Sequence, residues 1–454
     1  MPNLAAMQTV GEILAQRQGD NWLIGAPSDR FWQLFQARSY QFSSLTGAES
    51  TPPLVLIASP NSVDFLADFF AALNQNCDVL LANPAWGKLE WKQVLQRFQL
   101  ETAPPLPADS ALAGKHRHEA KREPEILIPT GGSSGRLKFV VHTWQTLMVA
   151  VQGFLDHFEL TQTHAYCVLP LYHVSGLMQV LRTFTSGGTL ALQTFRELDR
   201  GDRWLRHPPN GFISLVPTQL QRLLERGGHT DWLAQFDAVL LGGAPAWPDL
   251  IHTARQAKIP LALTYGMTET AAQVATLHPQ DFLAGQTHSG RVLPHVQIRI
   301  EQHSAQSIGA IAIQTDSLGL DILHVDTAQR QPLAQPNGWF YPDDIGRLDE
   351  QGGLHVVGRH SHKIITGGEN VFPEEVETAI QSTGLVKDVA VVGKRDRHWG
   401  EAVVAIYVAK RGVTTAQIQR ALKPLLAPYK QPKRWIVKAN LPRNAQGKLN
   451  RKNL

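Results

Sequence analysis

A run of small, hydroxylated and basic residues after an apolar segment has the composition of a phosphate-binding loop. The run reads Ile128-Pro129-Thr130-Gly131-Gly132-Ser133-Ser134-Gly135-Arg136-Leu137-Lys138. Glycines let successive backbone N–H groups point into one concavity, hydroxyls add donors, and Lys138 adds a compact positive charge. The spacing is not that of a Walker loop, because Arg136 and Leu137 separate Gly135 from Lys138. The alternative interpretation is a plain Gly/Ser turn between a strand and a helix.

A second polar segment follows the apolar run Leu261-Ala262-Leu263 and reads Tyr265-Gly266-Met267-Thr268-Glu269-Thr270. Its position predicts a turn at the carboxyl end of a strand, where ligands collect in α/β sheets. Glu269 could there bind Mg²⁺, which proteins usually hold through one or two carboxylates together with phosphate oxygens. A helix start capped by Thr268 or Thr270 explains the same residues without a ligand.

Two further groups carry charges suited to a nucleotide. Asp343-Asp344-Ile345-Gly346 lies in a turn, and Arg359 follows the next predicted hairpin. An acid in this place can bind ribose hydroxyls, although turn-capping aspartates and a surface arginine are the simpler interpretation. Lys448 lies in a terminal loop that could carry it to a reacting phosphate, whereas a lone lysine in a basic tail is usually solvated.

The elements that must position these residues alternate between strand and helix, which predicts a parallel α/β sheet. Leu54–Ile57 precedes a helix over Ser62–Leu73, and Glu125–Ile128 precedes the loop and a helix from Thr143. Further predicted strands are 165–169, 211–216, 238–241 and 260–265. From about residue 289 to 358 short segments with Gly and Asp turns predict a small antiparallel barrel or sheet.

Composition describes an ordinary globular protein, with 454 residues, 43% hydrophobic and 18% charged. Cys77 and Cys167 are interpreted as core residues in a reducing compartment. The first residues lack the features of a signal peptide, and no apolar run approaches the ~20 residues of a membrane span. We therefore expect a cytoplasmic protein without stable membrane insertion.

The charge is unevenly distributed along the chain. Residues 361–454 contain 17 Lys or Arg and 7 Asp or Glu, a balance of +10 in a chain of net charge +4. A basic terminal module beside an acidic body indicates an anionic partner such as a nucleotide or coenzyme. Nucleic acid is not expected, because the basic residues are scattered and no nucleic-acid-binding motif is present.

In this order, the phosphate loop, Tyr265–Thr270, Asp344, Arg359, Gly367-Gly368-Glu369-Asn370 and Lys448 resemble the core motifs of the adenylate-forming acyl-CoA synthetase superfamily. The resemblance covers roughly residues 125–454. It implies an N-terminal adenylation domain over 1–359, made of parallel α/β sheets with a small β-barrel at about 289–358. A smaller, mobile α+β domain over 360–454 would follow. The oligomeric state is left open, with a homodimer as one option.

Within that superfamily, three more segments resemble the o-succinylbenzoate-CoA ligases. They are Leu169–Gly176, Val216–Arg222 and Leu241–Pro245. This family implies a reaction of menaquinone or phylloquinone biosynthesis, in which a carboxylate and ATP give an acyl-adenylate and pyrophosphate, and CoA then displaces AMP. Another aryl- or acyl-CoA ligase, or a catalytically silent nucleotide-binding relative, are the alternatives.

The resemblance assigns a role to each motif. Thr130, Gly131, Gly132, Ser133, Ser134, Gly135 and Lys138 would cradle the phosphates, and Gly243, Ala244, Pro245, Tyr265, Gly266, Met267 and Thr268 would line the rest of the ATP site. Asp344 and Arg359 would hold ribose, and Glu269 with Thr130 would bind Mg²⁺. Lys448 would act at the α-phosphate, with Glu269 and Lys138 as further catalytic residues. Gly367 and Gly368 would lie on the CoA side.

The acyl pocket is assigned to His173, Ser175, Arg222 and Gly266. Arg222 is the candidate for a second carboxylate on the substrate's aromatic ring, and a surface arginine without substrate contact is the alternative. His173 is interpreted as shaping the pocket wall or gating the acyl tunnel, with a plain core or wall histidine as the alternative, and it is not assigned as a base. The sequence departs from the family pattern at Leu137, Trp144, Pro342-Asp343 and the hinge residue Ser361, where an acid is common.

Overall fold

A computed structural model describes most of the chain. The described residues are 8–45, 52–100, 112–114, 123–131, 137–201, 211–226, 229–302, 308–366, 369–397, 399–443 and 449–454. The helices are α1 (Val10–Arg17), α2 (Ser28–Ser43), α3 (Ser62–Asn74), α4 (Lys88–Phe98), α5 (Trp144–His157), α6 (Val174–Thr185), α7 (Phe195–Asp199), α8 (Pro217–Glu225), α9 (Thr230–Leu233), α10 (Pro248–Gln256), α11 (Pro279–Leu283), α12 (Pro373–Ser382) and α13 (Thr415–Leu422).

The strands alternate with these helices in the first part of the chain and dominate the middle. They are β1 (Leu23–Ile24), β2 (Leu54–Ile57), β3 (Asp78–Leu81), β4 (Leu112–Gly114), β5 (Glu125–Gly131), β6 (Leu137–Thr143), β7 (His164–Cys167), β8 (Leu190–Leu192), β9 (Gly211–Leu215), β10 (Ala238–Leu241), β11 (Leu261–Met267), β12 (Ala272–Thr276), β13 (Arg291–Val292), β14 (Val296–Gln302), β15 (Gly309–Thr315), β16 (Asp321–His324), β17 (Arg330–Pro332), β18 (Asp344–Leu348), β19 (Leu354–Arg359), β20 (Ile364–Thr366), β21 (Glu369–Val371), β22 (Val386–Asp396), β23 (Gly400–Ala409) and β24 (Arg434–Val437).

The largest sheet has the order β1-β8-β7-β9-β10-β11-β12-β13. Its strands are parallel from β1 to β11, as the strand–helix alternation predicts, and β12 and β13 then turn antiparallel. Side chains of β10 and β11 alternate between two cores. Leu240 and Ala262 pack with α5 and α6 on one face, whereas Leu241 and Leu263 pack with α8 and α10 on the other.

A second sheet has the order β17-β16-β6-β5-β3-β2-β4 and carries the predicted phosphate loop. The loop joins the antiparallel strands β5 and β6, so a hairpin strand intervenes before helix α5. This helix was predicted from Thr143, and in the structure Thr143 is its N-cap. Strands β16 and β17 fall in the range that we assigned to a barrel, yet β16 pairs with β6. The barrel assignment is therefore too wide, and β14-β15-β18-β19 form a separate four-stranded antiparallel sheet.

Residues from Ile364 onwards form a unit with its own core, in which helices α12 and α13 pack on the sheet β21-β20-β23-β22. The domain boundary near residue 360 stays a prediction that this separate core supports. Cys77 and Cys167 are both buried, as expected. None of the helices in the described part of the chain combines the length and apolar character that a bilayer span requires.

Candidate active site

Two of the predicted motifs leave the same edge of the large sheet. Leu241 and Leu263 are register partners in parallel strands, so the segments after β10 and β11 emerge side by side. Gly243, just after β10, has a φ of 79°, a left-handed conformation that suits glycine, and the adjoining Ala244 and Pro245 are exposed. This exposed loop next to Tyr265 has the place and the openness of a base-binding slot.

The predicted ribose group is assembled by three side chains from three strands. The Tyr265 hydroxyl donates to Asp344 Oδ2 at 2.8 Å, and Arg359 Nε donates to Asp344 Oδ1 at 3.1 Å. Asp344 is buried, whereas about half of the Arg359 side chain is exposed. Residues that are 79 positions apart in the chain therefore meet at one carboxylate.

Burial and the nearby Asp344 carboxylate raise the pKa of Tyr265 well above its ordinary value. The phenol therefore stays protonated and keeps donating to Asp344. The Glu269 carboxylate also contributes to raising the Tyr265 pKa, which places a second negative charge close to the phenol. Acidic oxygens for ribose and for a cation thus lie around one tyrosine.

The turn that carries Glu269 is held by its backbone from two sides. His142 Nε2 lies 2.8 Å from the carbonyl oxygen of Thr268, and Gly319 N donates to the carbonyl oxygen of Glu269 at 2.8 Å. Ser317 Oγ donates to the Thr270 carbonyl at 3.2 Å. These three contacts fix the backbone of the turn that carries Glu269.

His142 also links the turn to the phosphate hairpin, because it lies on β6 four residues after Lys138. It is fully buried, and burial lowers its pKa to about 4, so the imidazole is neutral near pH 7. Thr130 and Lys138 are register partners at the end of the hairpin next to the connecting loop, and both are partly exposed. Gly131 ends β5, while Gly132, Ser133, Ser134 and Gly135 lie outside the described residues.

The residues present suit Mg²⁺ held together with phosphate. In the described residues no group of three or more His, Cys, Asp or Glu side chains could hold a metal alone. A partly exposed Glu269, with the Thr130 hydroxyl from the hairpin, is the sparse protein set that Mg²⁺ takes when phosphate oxygens supply the other ligands. Glu269 and Thr130 as ligands stay predictions.

Gly266 is exposed near the end of β11, directly after an irregularity in the pairing with β12 between Tyr265 and Gly266. A Cβ atom at Gly266 would come within 1.9 Å of the carbonyl oxygen of Ala272, so only glycine fits here. Its register partner on β12 is Gln273, which shares the same face. This end of β11 is therefore bare backbone beside the Gln273 residue of β12.

Helix α6 contributes a polar stripe to that space, which the sequence interpretation missed. Ser175, Gln179 and Arg182 have i, i+4, i+7 spacing, which places them on one face of a helix that is otherwise almost wholly buried. Arg182 Nη2 donates to Gln273 Oε1, and its guanidinium lies 4.0 Å from the Phe154 ring centre. The spacing of polar residues within an apolar helix is the signal that could have identified Arg182.

Arg182 is a buried cation without an anionic partner. It is only 4% exposed, its Nε has no hydrogen-bond partner, and burial alone lowers its pKa to about 9. No ion pair joins it to any carboxylate of the described residues. The neighbouring Gln179 Oε1 and both ring nitrogens of His295 also lack partners. Burying an unpaired charge is unfavourable, so this corner is suited to an anion.

The other predicted pocket residues lie at the start of α6 and on α8. His173 directly precedes α6, Ser175 is exposed in its first turn, and both lie near the sheet edge that Gly266 occupies. Arg222 is 60% exposed, and its Nη2 lies 3.8 Å from Asp199 Oδ2. Its substrate contact stays a prediction, and in the structure its nearest ionic partner is that aspartate.

The remaining assignments divide between described and undescribed residues. Ser361 lies in a single 3-10 turn, His360–His362, between β19 and β20, which is the place expected of a hinge. Gly367, Gly368 and Lys448 lie outside the described residues, so their roles stay predictions.

The Tyr265–Asp344–Arg359 group, the β5–β6 hairpin and the Glu269 turn have the residue types expected of a nucleotide-binding enzyme. Residues 98–318 match the AMP-binding enzyme family, and residues 375–448 match the C-terminal domain of AMP-binding enzymes. The chain is 33% identical to the 2-succinylbenzoate--CoA ligase of Listeria monocytogenes over 73% of its own length and 72% of the relative's. It belongs to this family of AMP-binding ligases.

Another relative and two solved structures agree with that membership. The 2-succinylbenzoate--CoA ligase of Enterococcus faecalis is 33% identical over 71% of this chain and 67% of its own. The o-succinylbenzoate CoA synthetase (MenE) of Bacillus subtilis, in complex with the acyl-adenylate OSB-AMP, superposes with a TM-score of 0.79 at 24% identity, with 97% of each chain covered. The same enzyme with ATP and magnesium gives 0.80, with 97% of this chain and 98% of that one covered. These structures establish the shared fold.

Proposed function

We propose that this protein is an ATP-dependent o-succinylbenzoate-CoA ligase. The substrate carboxylate would attack the α-phosphate of ATP to give an acyl-adenylate and pyrophosphate, and the thiol of CoA would then displace AMP. Relatives that are 33% identical to it over the aligned residues carry this activity in their names. We also propose, from the family resemblance, that the product enters menaquinone or phylloquinone biosynthesis and that the reaction takes place in the cytoplasm.

The buried Arg182 is the observation that supports this substrate best. o-Succinylbenzoate has two carboxylates, one that reacts with ATP and one on the aromatic ring. Arg182 lies two helical turns beyond Ser175 on the polar stripe of α6. It donates a hydrogen bond to Gln273, which is the register partner of Gly266. A guanidinium without a carboxylate partner, beside the apolar Phe154 ring, suits an aromatic acid whose second carboxylate is the missing anion.

The nucleotide would be positioned by the edge residues. Asp344 would accept from ribose hydroxyls while Tyr265 and Arg359 fix its orientation, and Lys138 would contact the outer phosphates. Bound Mg²⁺ would neutralise phosphate charge and would be held by Glu269 and Thr130. Since a carboxylate nucleophile is already ionised near neutral pH, the chain needs no general base, and positioning with charge stabilisation would account for the rate.

Lys448 would stabilise charge at the α-phosphate only in the first half-reaction. The C-terminal domain, which we place at 360–454, would then turn about the hinge to bring Gly367 and Gly368 to the CoA side. Replacing Lys448 with Ala should cripple adenylate formation while a preformed adenylate still reacts with CoA. An equal loss in both steps would contradict this role.

A carboxylic-acid panel tests the substrate. Thioester formation with ATP and CoA is measured for o-succinylbenzoate, benzoate, a fatty acid and an amino acid. We expect o-succinylbenzoate to give the highest kcat/KM. A higher value for another acid would favour a different aryl- or acyl-CoA ligase, and no AMP release with any acid would favour a silent nucleotide-binding relative.

A further inference from the structure

The residue before the ribose acid makes a separate set of contacts at the hinge. Asp343 Oδ1 and Oδ2 each accept from Ser361 N at 3.2 Å, and Asp343 Oδ2 also accepts from Ser361 Oγ. The Asp343 carbonyl oxygen accepts from His360 N at 2.7 Å. One residue therefore takes four hydrogen bonds from the turn that connects the large domain to the terminal unit.

These contacts are independent of the ribose site, although they adjoin it. Asp344 and Arg359 are register partners in β18 and β19, so the chain passes from the ribose pair directly into the 3-10 turn His360–His362. Asp344 faces Arg359, whereas Asp343 is exposed and faces Ser361. Of these two consecutive carboxylates, Asp344 thus belongs to the proposed ribose site and Asp343 to the hinge turn.

The far side of the same turn is fixed to the terminal unit. His362 Nδ1 lies 3.0 Å from Glu374 Oε1 at the start of α12, and Arg451 Nη2 lies 3.4 Å from the same oxygen. A Cβ atom at Gly358 would come within 2.7 Å of Glu374 Oε2, which shows how closely α12 approaches the end of β19. A change in the turn is therefore transmitted directly to α12.

We propose that Asp343 is a positioning residue that sets the balance between the two orientations of the terminal unit. The hinge residue itself is Ser361, which has a hydroxyl and no charge, and the carboxylate that holds the turn is supplied from position 343. When the unit turns about residues 360–362, the bonds between Ser361 and Asp343 must break or rearrange. Their strength therefore biases the orientation seen here against the other one.

This inference rests on the two-step reaction proposed above, but one readout does not need that reaction. Spin labels on Lys92→Cys and Ala416→Cys, both at exposed positions, report the distance between the large domain and the terminal unit. Both native cysteines are buried, which favours selective labelling of the introduced thiols. A shift in the distance distribution then reports the hinge even if the substrate is a different acid.

The variants are Asp343→Asn and Ser361→Ala, with Glu350→Gln as a matched control that removes an exposed carboxylate from the turn between β18 and β19. Each hinge variant should shift the distance distribution. Each should also change the ratio of the adenylate-forming rate to the thioester-forming rate at least threefold, measured on the acid that the panel identifies. KM for ATP should stay within twofold, because Asp344 and Arg359 are untouched, and the control should change none of these quantities.

Two further variants, which move the carboxylate from position 343 to position 361 in two steps, extend the test. Ser361→Asp places two carboxylates together and should shift the distribution further, since like charges repel. Adding Asp343→Gly relieves that repulsion and should return both readouts towards those of the native protein. If folded Asp343→Asn and Ser361→Ala both keep the native distance distribution and the native ratio of rates, the proposal is overturned.

Discussion

The ribose corner and the Arg182 corner are both buried, polar and near one sheet edge, but they differ in how their charges are balanced. Asp344 has two partners within the protein, Tyr265 at 2.8 Å and Arg359 at 3.1 Å. Arg182 has one neutral partner, Gln273, and an Nε without any. The first corner is organised before a ligand binds, whereas the second keeps a charge that only an anion would neutralise.

The difference concerns how each corner would recognise its ligand. Preformed hydrogen bonds lower the entropic cost of binding, so the ribose corner should bind ATP equally well whichever acid is the substrate. An unpaired buried cation favours acids with a second carboxylate over acids without one, because an acid without it leaves the buried charge unpaired. Selectivity for the acyl substrate should therefore be concentrated at Arg182.

The largest expected effect follows from replacing Arg182 with Met. A charge-assisted contact is worth up to about 3 kcal/mol, so kcat/KM for o-succinylbenzoate should fall about 100-fold. Stability should hold or rise, because a hydrophobic residue of similar volume removes a buried unpaired charge. Steady-state kinetics and chemical denaturation measure the two quantities.

A matched control is Arg255→Met, which removes an arginine that lies 4.5 Å from the Phe282 ring on the other face of the sheet. It should leave kcat/KM unchanged. Equal losses for o-succinylbenzoate and benzoate in Arg182→Met would show that Arg182 supports the fold and not the second carboxylate.

Acid should destabilise the turn that carries Glu269 and the Arg182 corner, because each contains a buried histidine that is neutral in the folded protein. His142 contacts the Thr268 carbonyl, and His295 lies near Arg182. Burial lowers the pKa of each histidine to about 4. Between pH 6.5 and 4 these histidines bind protons in the unfolded chain but stay neutral in the folded protein. The free energy of unfolding therefore falls as pH falls. For the fully buried His142 the loss is on the order of 3 kcal/mol.

Denaturation at a series of pH values measures this dependence. His142→Asn should flatten the slope between pH 6.5 and 4, because it removes one titrating group. An unchanged slope would mean that His142 is not the group that titrates.

Asp344→Asn tests the balanced corner and should have a smaller effect. The amide keeps the shape but leaves Arg359 without its anion, and one charged contact to ribose becomes neutral. We expect KM for ATP to rise about tenfold with little change in KM for the acid. Asp349→Asn, at the end of the same antiparallel sheet, is the control and should leave both constants unchanged.

Arg222→Ala should have the smallest effect. If the predicted contact exists, KM for o-succinylbenzoate rises, but the side chain is 60% exposed and already near Asp199, so we expect about threefold at most. An unchanged KM removes Arg222 from the pocket, whereas a loss equal to that of Arg182→Met would contradict the contrast drawn between the two arginines.

The sequence singled out the residues that meet at Asp344 and missed Arg182, for a physical reason. Asp344, Glu269 and Tyr265 lie where strands end, and strand ends were recognisable from apolar runs followed by turn residues. Arg182 lies inside a helix, where its burial depends on packing against Phe154 and Gln273 from distant segments. The sequence candidate was Arg222, on the helix after Pro217, because the burial of an arginine inside a helix cannot be predicted from residue type.

The sheet arrangement shows the same division. Individual strands such as β10 and β11 were predicted within a few residues, because short apolar runs mark them. The pairing of β16 with β6 could not be predicted, since Ile322 and Val140 are far apart in the chain and nothing local specifies their register.

The two buried cysteines have a chemical consequence for an enzyme that would handle a free thiol and produce a thioester. Burial raises the pKa of both Cys77 and Cys167 to about 12, so neither forms a thiolate near neutral pH. The protein therefore offers no nucleophilic sulfur that could capture the acyl group from its own product. Such an enzyme would resist self-acylation by the thioester that it forms.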